Sequence, residues 1–295
     1  MTKYKKILVA YDGSDSAKNA LTVAVKLAKQ DNSWIKVLDV VSPYAGDPEV
    51  TGGSNTKDTT EGSAEKLMDG AREIAVKEGF GILTIIAQGE PFERISAMAE
   101  DENCDLIVMG RQGISHLERE LIGSVTARVI GHTTRNVLVV PETFKWAGKW
   151  ESILLATDGS SNCTAADNEA LHIAKHRAVK VAVISVAKTN ISTESAAFSQ
   201  SVIREIEMEA QSILTKFKER AAAMYLKAET FVKHGQPHQE ITALAAELGV
   251  TFIVMCTHGK TGIKRLLMGS VTQRTIGHAD CPVLVVPNRD SCEMN

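Results

Sequence analysis

The sequence predicts two tandem α/β domains, each a five-stranded parallel sheet with helices on both faces. Three observations predict this fold class: strands alternate with amphipathic helices, the strands are short and apolar throughout, and the two halves of the chain repeat each other. Short strands that are apolar on both faces must be buried on both faces, as in parallel sheets. Right-handed crossovers between such strands give a doubly wound, Rossmann-like sandwich.

The two halves of the chain repeat one another at a constant spacing. The segment at 7–14 returns at 153–160, so that Asp158 matches Asp12, a shift of 146 positions (158 − 12). A repeat of this length far exceeds the roughly 20–50 residues of solenoid repeats, so each copy is a domain. We predict the domain boundaries as 1–144 and 150–290. The same shift relates 106–109 to 252–255, 123–126 to 269–272, and 137–141 to 283–287.

Strands and helices alternate along the first copy. Its opening run is apolar and β-branched up to Asp12, which predicts a buried strand ended by a turn. Alanine and leucine then recur at helical spacing, and Pro91 opens a later helix. Glycine, proline, serine and threonine crowd residues 42–60, which predicts a loop. The predicted strands are 4–11, 34–41, 81–87, 105–109 and 137–140. The predicted helices are 15–30, 61–78, one from Pro91, and 124–130.

Composition and charge exclude several functional classes. The chain has 295 residues, is 44% hydrophobic and carries a formal net charge of −3. This charge gives no electrostatic reason to bind nucleic acid or an anionic membrane. No apolar run reaches the about 20 residues that a membrane span needs, and no signal-peptide pattern opens the sequence. We therefore expect a cytoplasmic protein with neither nucleic acid nor a membrane as partner.

The cysteines and histidines indicate neither a disulfide nor a metal site. The five cysteines are odd in number, irregularly spaced and without a C-x-x-C pair, which predicts reduced thiols. Cys256 and His258, with His278 and Cys281 downstream, match no common structural-zinc spacing. No Ser/His/Asp or Cys/His arrangement stands out. We predict no metal ligand and no catalytic residue.

Unusual residues follow the first and fourth predicted strands. Ligands of doubly wound sheets bind outside the carboxyl ends of strands, where the strand order reverses. Asp12 follows strand one, and Gly110 and Gly113 follow strand four, so these residues share a crevice if the two strands are neighbours. Glycine lets a ligand approach the backbone closely. Ser124 is placed to cap the last helix, whose N-terminus suits a phosphate group.

The second copy supports the helix cap. Its residues Ser270 and Gln273 fit the S-x-x-Q capping box, in which the two side chains bond the first backbone N–H groups. The glycine loop after strand four therefore predicts a phosphate-binding site.

The spacing Gly-x2-Gly-x9-Gly-Ser after strand four resembles the ATP-binding signature of the universal stress protein family. The opening Val-Ala-Tyr-Asp-Gly-Ser, the Gly-Ser-Val-Thr segment and the closing Val-Leu-Val-Val-Pro are similar to that family as well. The resemblance covers 3–141 and 150–287. It implies an adenine nucleotide alpha hydrolase-like fold, a stress-response function, and ATP as the ligand, with or without Mg²⁺.

The resemblance also implies which residues hold the nucleotide. The aspartate after strand one would lie against adenine and ribose, the end of strand two would contact adenine through its backbone, and the glycine loop would hold ribose and phosphates. In the first domain these positions are Asp12, Val40, Gly110, Arg111, Gly113, Gly123, Ser124 and Val125. In the second domain the weaker candidates are Asp158, Val186, Gly259, Gly269 and Ser270.

The second domain departs from the family pattern. Cys256 replaces the glycine found at Gly110, and we expect its side chain to crowd the ligand, whereas Lys260, Lys264 and Arg265 add positive charge that favours phosphate. A steric block outweighs a solvent-screened charge, so we expect the first domain to be the main ATP site and the second to be degenerate.

The resemblance further implies an intramolecular pseudo-dimer. The second domain would pair with the first through the two fifth strands, 137–140 and 283–286. A homodimer of whole chains stays open. Two other functions also stay open: a slow ATPase or nucleotide hydrolase, and an interaction scaffold without nucleotide.

Overall fold

The computed structural model describes residues 4–42, 56–113, 122–188, 196–260 and 268–288. It separates into two compact units, Met1–Gly148 and Lys149–Asn295. Lys264 and Arg265, which were expected to add charge to the second site, lie outside the described residues.

In its described residues the first unit contains five strands and four helices. The turn after β1 leads directly into α1, because the side-chain oxygen of Ser14 accepts a hydrogen bond from the backbone N–H of Ala17 at 3.2 Å and so caps the helix. The strands are β1 Lys6–Ala10, β2 Trp34–Val41, β3 Leu83–Gln88, β4 Leu106–Gly110 and β5 Asn136–Val140. The helices are α1 Asp15–Asp31, α2 Thr56–Lys77, α3 Pro91–Asp101 and α4 Ser124–His132.

The strands of the first unit form a parallel sheet in the order β3-β2-β1-β4-β5. Every residue of β4 and β5 is buried, which explains why these strands are apolar without alternation. Helices α1 and α2 pack together, and α3 packs on α4. The chain runs from β1 outward to β3 and then crosses to β4, so the strand order reverses between β1 and β4.

The second unit repeats this architecture. Its sheet has the order β8-β7-β6-β9-β10, with every described pair parallel, and reverses between β6 and β9. The predicted fold class, two doubly wound α/β domains, is confirmed. The strands are β6 Ser152–Ala156, β7 Lys180–Ala187, β8 Ala228–His234, β9 Phe252–Cys256 and β10 Val283–Val286. The helices are α5 Thr164–Arg177, α6 Ala196–Ala223, α7 Pro237–Leu248 and α8 Ser270–His278.

Two helix starts differ from the sequence-based expectation. Helix α2 begins at Thr56, inside the segment predicted as a loop from its composition. Met68 and Ala71 on this helix are fully buried, and helix propagation from such a packed segment overrides weak local preference. In the second unit, a 3₁₀ turn at Ser161–Cys163 precedes α5, whereas α1 is α-helical from Asp15 onward.

Candidate functional site

The residues predicted for the first site meet at the carboxyl edge of the sheet, beside the strand-order reversal. Asp12 follows β1, and continuing the β1–β2 register from Ala10 and Leu38 places it level with Val40. On the other side, β4 ends at Gly110. The backbone N–H of Gly123 donates to the carbonyl of Arg111 at 2.9 Å, which closes the glycine loop onto the start of α4.

The aspartate after the first strand of each unit accepts a hydrogen bond from its own turn, and in the second unit it also bonds the glycine loop. Oδ1 of Asp12 accepts a hydrogen bond from the backbone N–H of Ser14 at 3.0 Å. In the second unit, Oδ1 of Asp158 accepts from Ser160 N–H at 3.0 Å, and its Oδ2 accepts from Lys260 N–H at 2.6 Å. This carboxylate therefore holds the loop after β9 against the turn after β6.

The carboxylates also explain two of the loop glycines. A Cβ atom on Gly113 would stand 2.5 Å from Oδ2 of Asp12, and a Cβ atom on Gly259 would stand even closer to Oδ2 of Asp158. A side chain at either position would displace this carboxylate. The sequence predicts close approach by a ligand at these glycines, and the structure places the protein's own carboxylate beside them.

Gly110 is required by helix packing. A Cβ atom there would stand 2.8 Å from the backbone carbonyl carbon of Ser16 and 2.6 Å from its Oγ, so only glycine lets α1 begin against the end of β4. At the equivalent position in the second unit, Cys256 is accommodated where the 3₁₀ turn replaces the first turn of α-helix. The Cys256 side chain was expected to crowd a ligand. In the structure its sulfur is bonded to Cys163 at the end of that turn.

The expectation of reduced thiols is wrong for one pair of cysteines, because Cys163 and Cys256 are joined by a disulfide. They are 93 residues apart in sequence, so no local spacing reveals their proximity. Cys104 and Cys281 are free. Burial raises the pKa of the Cys104 thiol to about 11 and that of Cys281 to about 12.

The predicted serine caps are also wrong. Gly123 is the N-cap of α4 and Gly269 that of α8, and neither helix has a side-chain cap. Ser124 and Ser270 are instead the first helical residues, and both are exposed. Because an N-cap must have a non-helical backbone, a serine already inside the helix does not fill this role.

A buried threonine missed by the sequence argument anchors each of these helices. Oγ1 of Thr126 donates to the carbonyl of Gly110 at 3.0 Å, and Oγ1 of Thr272 donates to that of Cys256 at 2.9 Å. These bonds hold the first turn of α4 or α8 against the end of the neighbouring strand. The signal was present in the sequence, because threonine recurs with the Gly-Ser-Val-Thr segment.

The second unit has an open cavity at this edge. Its volume is about 290 Å³, close to the lower end of the about 300–1,000 Å³ that is typical of small-molecule sites. Cys163 and Cys256 form part of its wall, and Lys188 and Lys260 contribute positive charge. All five candidates of the second domain line the cavity: Asp158, Val186, Gly259, Gly269 and Ser270.

A second buried carboxyl group lies near Asp12. Asp39 on β2 is 9% exposed, and burial, assisted by the negative charge of Asp12, raises its pKa to about 6. The backbone N–H of Val40 partly offsets this rise. The first site therefore contains a carboxyl group that titrates near neutral pH.

We expect Asp39→Asn to stabilise the first unit at neutral pH. In the unfolded wild-type chain Asp39 has its ordinary pKa of 3.8, whereas in the folded chain its pKa is about 6. Folding stability is thus lost as pH rises from about 4 to about 6, by at most about 3 kcal/mol. Urea unfolding at pH 4 and pH 7 should show little difference between the two proteins at pH 4 and a more stable variant at pH 7. A constant difference across this range would contradict the assignment.

The described residues contain neither a metal-binding cluster nor a membrane-spanning helix. No cluster of three or more His, Cys, Asp or Glu side chains there could hold a metal ion. None of the helices in that part of the chain combines the length and apolar character needed to cross a bilayer.

Comparison with known proteins decides the family. The family model described as the universal stress protein family matches twice, at residues 3–141 and 149–287. The chain belongs to the universal stress protein family. The resemblance inferred from the glycine loop and its flanking strands is thereby confirmed, as is the tandem arrangement of two universal stress protein domains.

Single-domain relatives of this tandem universal stress protein are found in bacteria and archaea. The universal stress protein YxiE of Bacillus subtilis is 32% identical over 146 residues, which covers 46% of this chain and 99% of the relative. Universal stress protein MJ0531 of Methanocaldococcus jannaschii is 34% identical over 144 residues, covering 48% of this chain and 85% of the relative. Each relative therefore corresponds to about one domain.

A solved structure matches both domains together. The crystal structure of a universal stress protein from Archaeoglobus fulgidus has a TM-score of 0.72 and covers 97% of each chain at 21% sequence identity. At this identity the match supports the fold alone.

Proposed function

We propose that this tandem universal stress protein binds ATP or a related adenine nucleotide at the carboxyl edges of its sheets and acts as a cytoplasmic stress-responsive regulator. One observation carries the proposal: a carboxylate, a glycine loop and a helix N-terminus converge beside the strand-order reversal. In the second domain an open cavity lies at that point. The helix N-terminus offers backbone N–H groups and a positive dipole end to a phosphate chain.

Both domains are candidates for binding. The first retains the full family signature, with Gly110, Gly113, Gly123 and Ser124 in place, and it stays our main site on that ground. The second has the cavity, and its departure at Cys256 is absorbed by the 3₁₀ turn. We propose a second site there, so that the wild-type chain would bind two nucleotides. Pairing of the two domains through their fifth strands, and a homodimer, stay predictions from the resemblance.

We expect Ser124→Glu and Ser270→Glu each to remove one nucleotide site without destabilising the fold. Both serines are exposed first residues of a helix, where an acidic side chain is favourable because of the helix dipole. The same carboxylate would repel a phosphate group. Calorimetric titration with ATP should give two sites for wild type, one for each variant and none for the double variant, with affinity at the altered site falling at least tenfold.

Neutral replacements provide the matched controls. Ser124→Gln and Ser270→Gln have similar bulk without the charge, so they should retain most of the affinity. Thermal unfolding should show no loss of stability in any of these variants. Full ATP binding by a stably folded double glutamate variant would refute the proposed sites.

The same protein preparations distinguish the binding module from the two alternatives, a slow nucleotide hydrolase and an interaction scaffold. Chromatography of protein incubated with ATP should recover ATP unchanged if the protein is a binding module. Accumulation of ADP that depends on Ser124 or Ser270 would favour a slow nucleotide hydrolase. A wild-type protein that binds no adenine nucleotide would favour the interaction scaffold.

A further inference from the structure

The disulfide of the second domain lies in the wall of its cavity. Cys256 ends β9, and Cys163 ends the 3₁₀ turn before α5, with their Cα atoms 5.0 Å apart. Both side chains are almost fully buried from bulk solvent, yet both line the cavity of about 290 Å³. A small molecule that enters the cavity therefore lies against both cysteine residues.

The first domain has no counterpart to this pair. Ala17 and Gly110 occupy the equivalent positions, since each lies 146 residues before its counterpart (163 − 17 and 256 − 110). Cys104 and Cys281 are the free cysteines among the described residues. Burial raises the pKa of both thiols, which disfavours the reactive thiolate. The two domains thus share a fold and differ in their capacity for thiol chemistry at the crevice.

The disulfide joins two segments that shape the crevice. Nδ2 of Asn162, in the 3₁₀ turn, donates to the carbonyl of Gly259 at 3.2 Å. Beyond β9, Lys260 N–H is held by Asp158, and the carbonyl of Thr257 accepts from Gly269 N–H at 3.0 Å. The disulfide lies beside these hydrogen bonds. It fixes the start of α5 to the end of β9, from which the glycine loop continues.

We propose that Cys163 and Cys256 are a reversible thiol–disulfide redox site whose state controls the glycine loop and hence ligand binding in the second domain. The identity of the ligand rests on the proposed function. Formation of the disulfide removes two electrons and two protons from the thiols. With hydrogen peroxide as the oxidant, one thiolate attacks a peroxide oxygen and forms a sulfenic acid, and the other sulfur then displaces its oxygen as water. In total, two thiols and one peroxide give one disulfide and two waters.

Reduction changes the space around the glycine loop. A dithiol reductant returns two electrons by thiol–disulfide exchange and becomes a cyclic disulfide. After reduction the two sulfur atoms must move apart to van der Waals distance. Packed protein surrounds them except on the side of the cavity. Either a thiol turns into the cavity or the 3₁₀ turn moves away from the loop. Both changes weaken a preorganised site, so the oxidised form is the tighter binder.

The test uses the full chain, treated with hydrogen peroxide or with dithiothreitol. Peptide mass spectrometry after alkylation should find Cys163 linked to Cys256 after peroxide, with both alkylated after dithiothreitol. Hydrogen exchange at residues 257–260 should be slower by at least fivefold in the oxidised form. In the Ser124→Glu background, where the second site reports alone, affinity for ATP should fall about five- to tenfold on reduction.

Cys163→Ala provides the matched control, because alanine is the residue of the first domain at this position. It should abolish the response of loop exchange and of ATP affinity to oxidation, whereas Cys104→Ser should preserve both. Two results would overturn the inference: both thiols remain alkylatable after peroxide, or the disulfide forms and ATP binds with the same affinity to both forms.

Failure of the redox site is distinguishable from failure of the nucleotide site. If loop exchange responds to the redox state but ATP binds to neither form, the redox site stands and the proposed ligand is wrong. If ATP binds equally to both forms, the proposed function stands and the redox control is wrong.

Discussion

Replacing Gly110 with alanine should lower the free energy of unfolding of the first domain by about 3 kcal/mol, near the upper end of overpacking effects. The single added Cβ would stand 2.8 Å from the backbone carbonyl carbon of Ser16. Backbone at the start of α1 cannot rotate aside as the end of a flexible side chain can. The expected loss arises from helix packing, and it should therefore appear in protein free of nucleotide.

Urea unfolding monitored by hydrogen exchange of the β4 amides measures this loss in the first domain, independently of the second domain. Gly81→Ala is the matched control, because no atom lies within 4 Å of a Cβ placed there, and its effect should stay within about 0.5 kcal/mol. An unchanged stability of Gly110→Ala would mean that α1 rearranges its first turn, as the second domain does around Cys256.

Replacing Asp158 with alanine should destabilise the second domain by about 3 kcal/mol and release its glycine loop. The substitution removes two hydrogen bonds from a charged acceptor, each of which contributes about 1.5–3 kcal/mol, with solvent screening reducing the sum. Lys260 N–H would lose the partner that holds it at 2.6 Å. We also expect weaker ATP binding at the second site, because the loop would no longer be preorganised.

Hydrogen exchange at Lys260 and urea unfolding of the second domain test this prediction. Asp158→Asn retains an oxygen acceptor without the charge and should show a smaller loss. Asp280→Ala, at an exposed aspartate of the same domain, should have little effect. Unchanged protection of Lys260 N–H in Asp158→Ala would show that the carboxylate does not hold the loop.

The agreement between sequence and structure is strongest where a residue pattern repeats locally. The predicted second strand at 34–41 coincides with β2, and the predicted helix at 15–30 differs from α1 by one residue. Burial on both faces requires continuous apolar runs in strands, and helical packing requires apolar residues three and four apart, so both leave a periodic signal. The start of α2 left no such signal, because its first residues are polar and the helix continues from a packed segment.

For the candidate site, the edge was predictable and the roles of its residues were not. A parallel sheet places Asp12 and the glycine loop at the same edge, and the pairing of β1 with β4 in the structure brings them together. The sequence alone assigned Gly110 and Gly113 to a ligand. In the structure the first also lies against Ser16 and the second against the carboxylate of Asp12, and neither contact was predicted from the sequence.

The sequence by itself determined the two domains, their parallel sheets and the sheet edge at which the candidate site lies, because repeats and hydrophobic periodicity encode these features along the chain. Only the tertiary structure decided that Asp158 holds the backbone of Lys260 and that Cys163 bonds to Cys256. Partners in these contacts are 102 and 93 residues apart. Such pairings depend on how separate strands align in space, and that alignment leaves no periodic trace in the sequence.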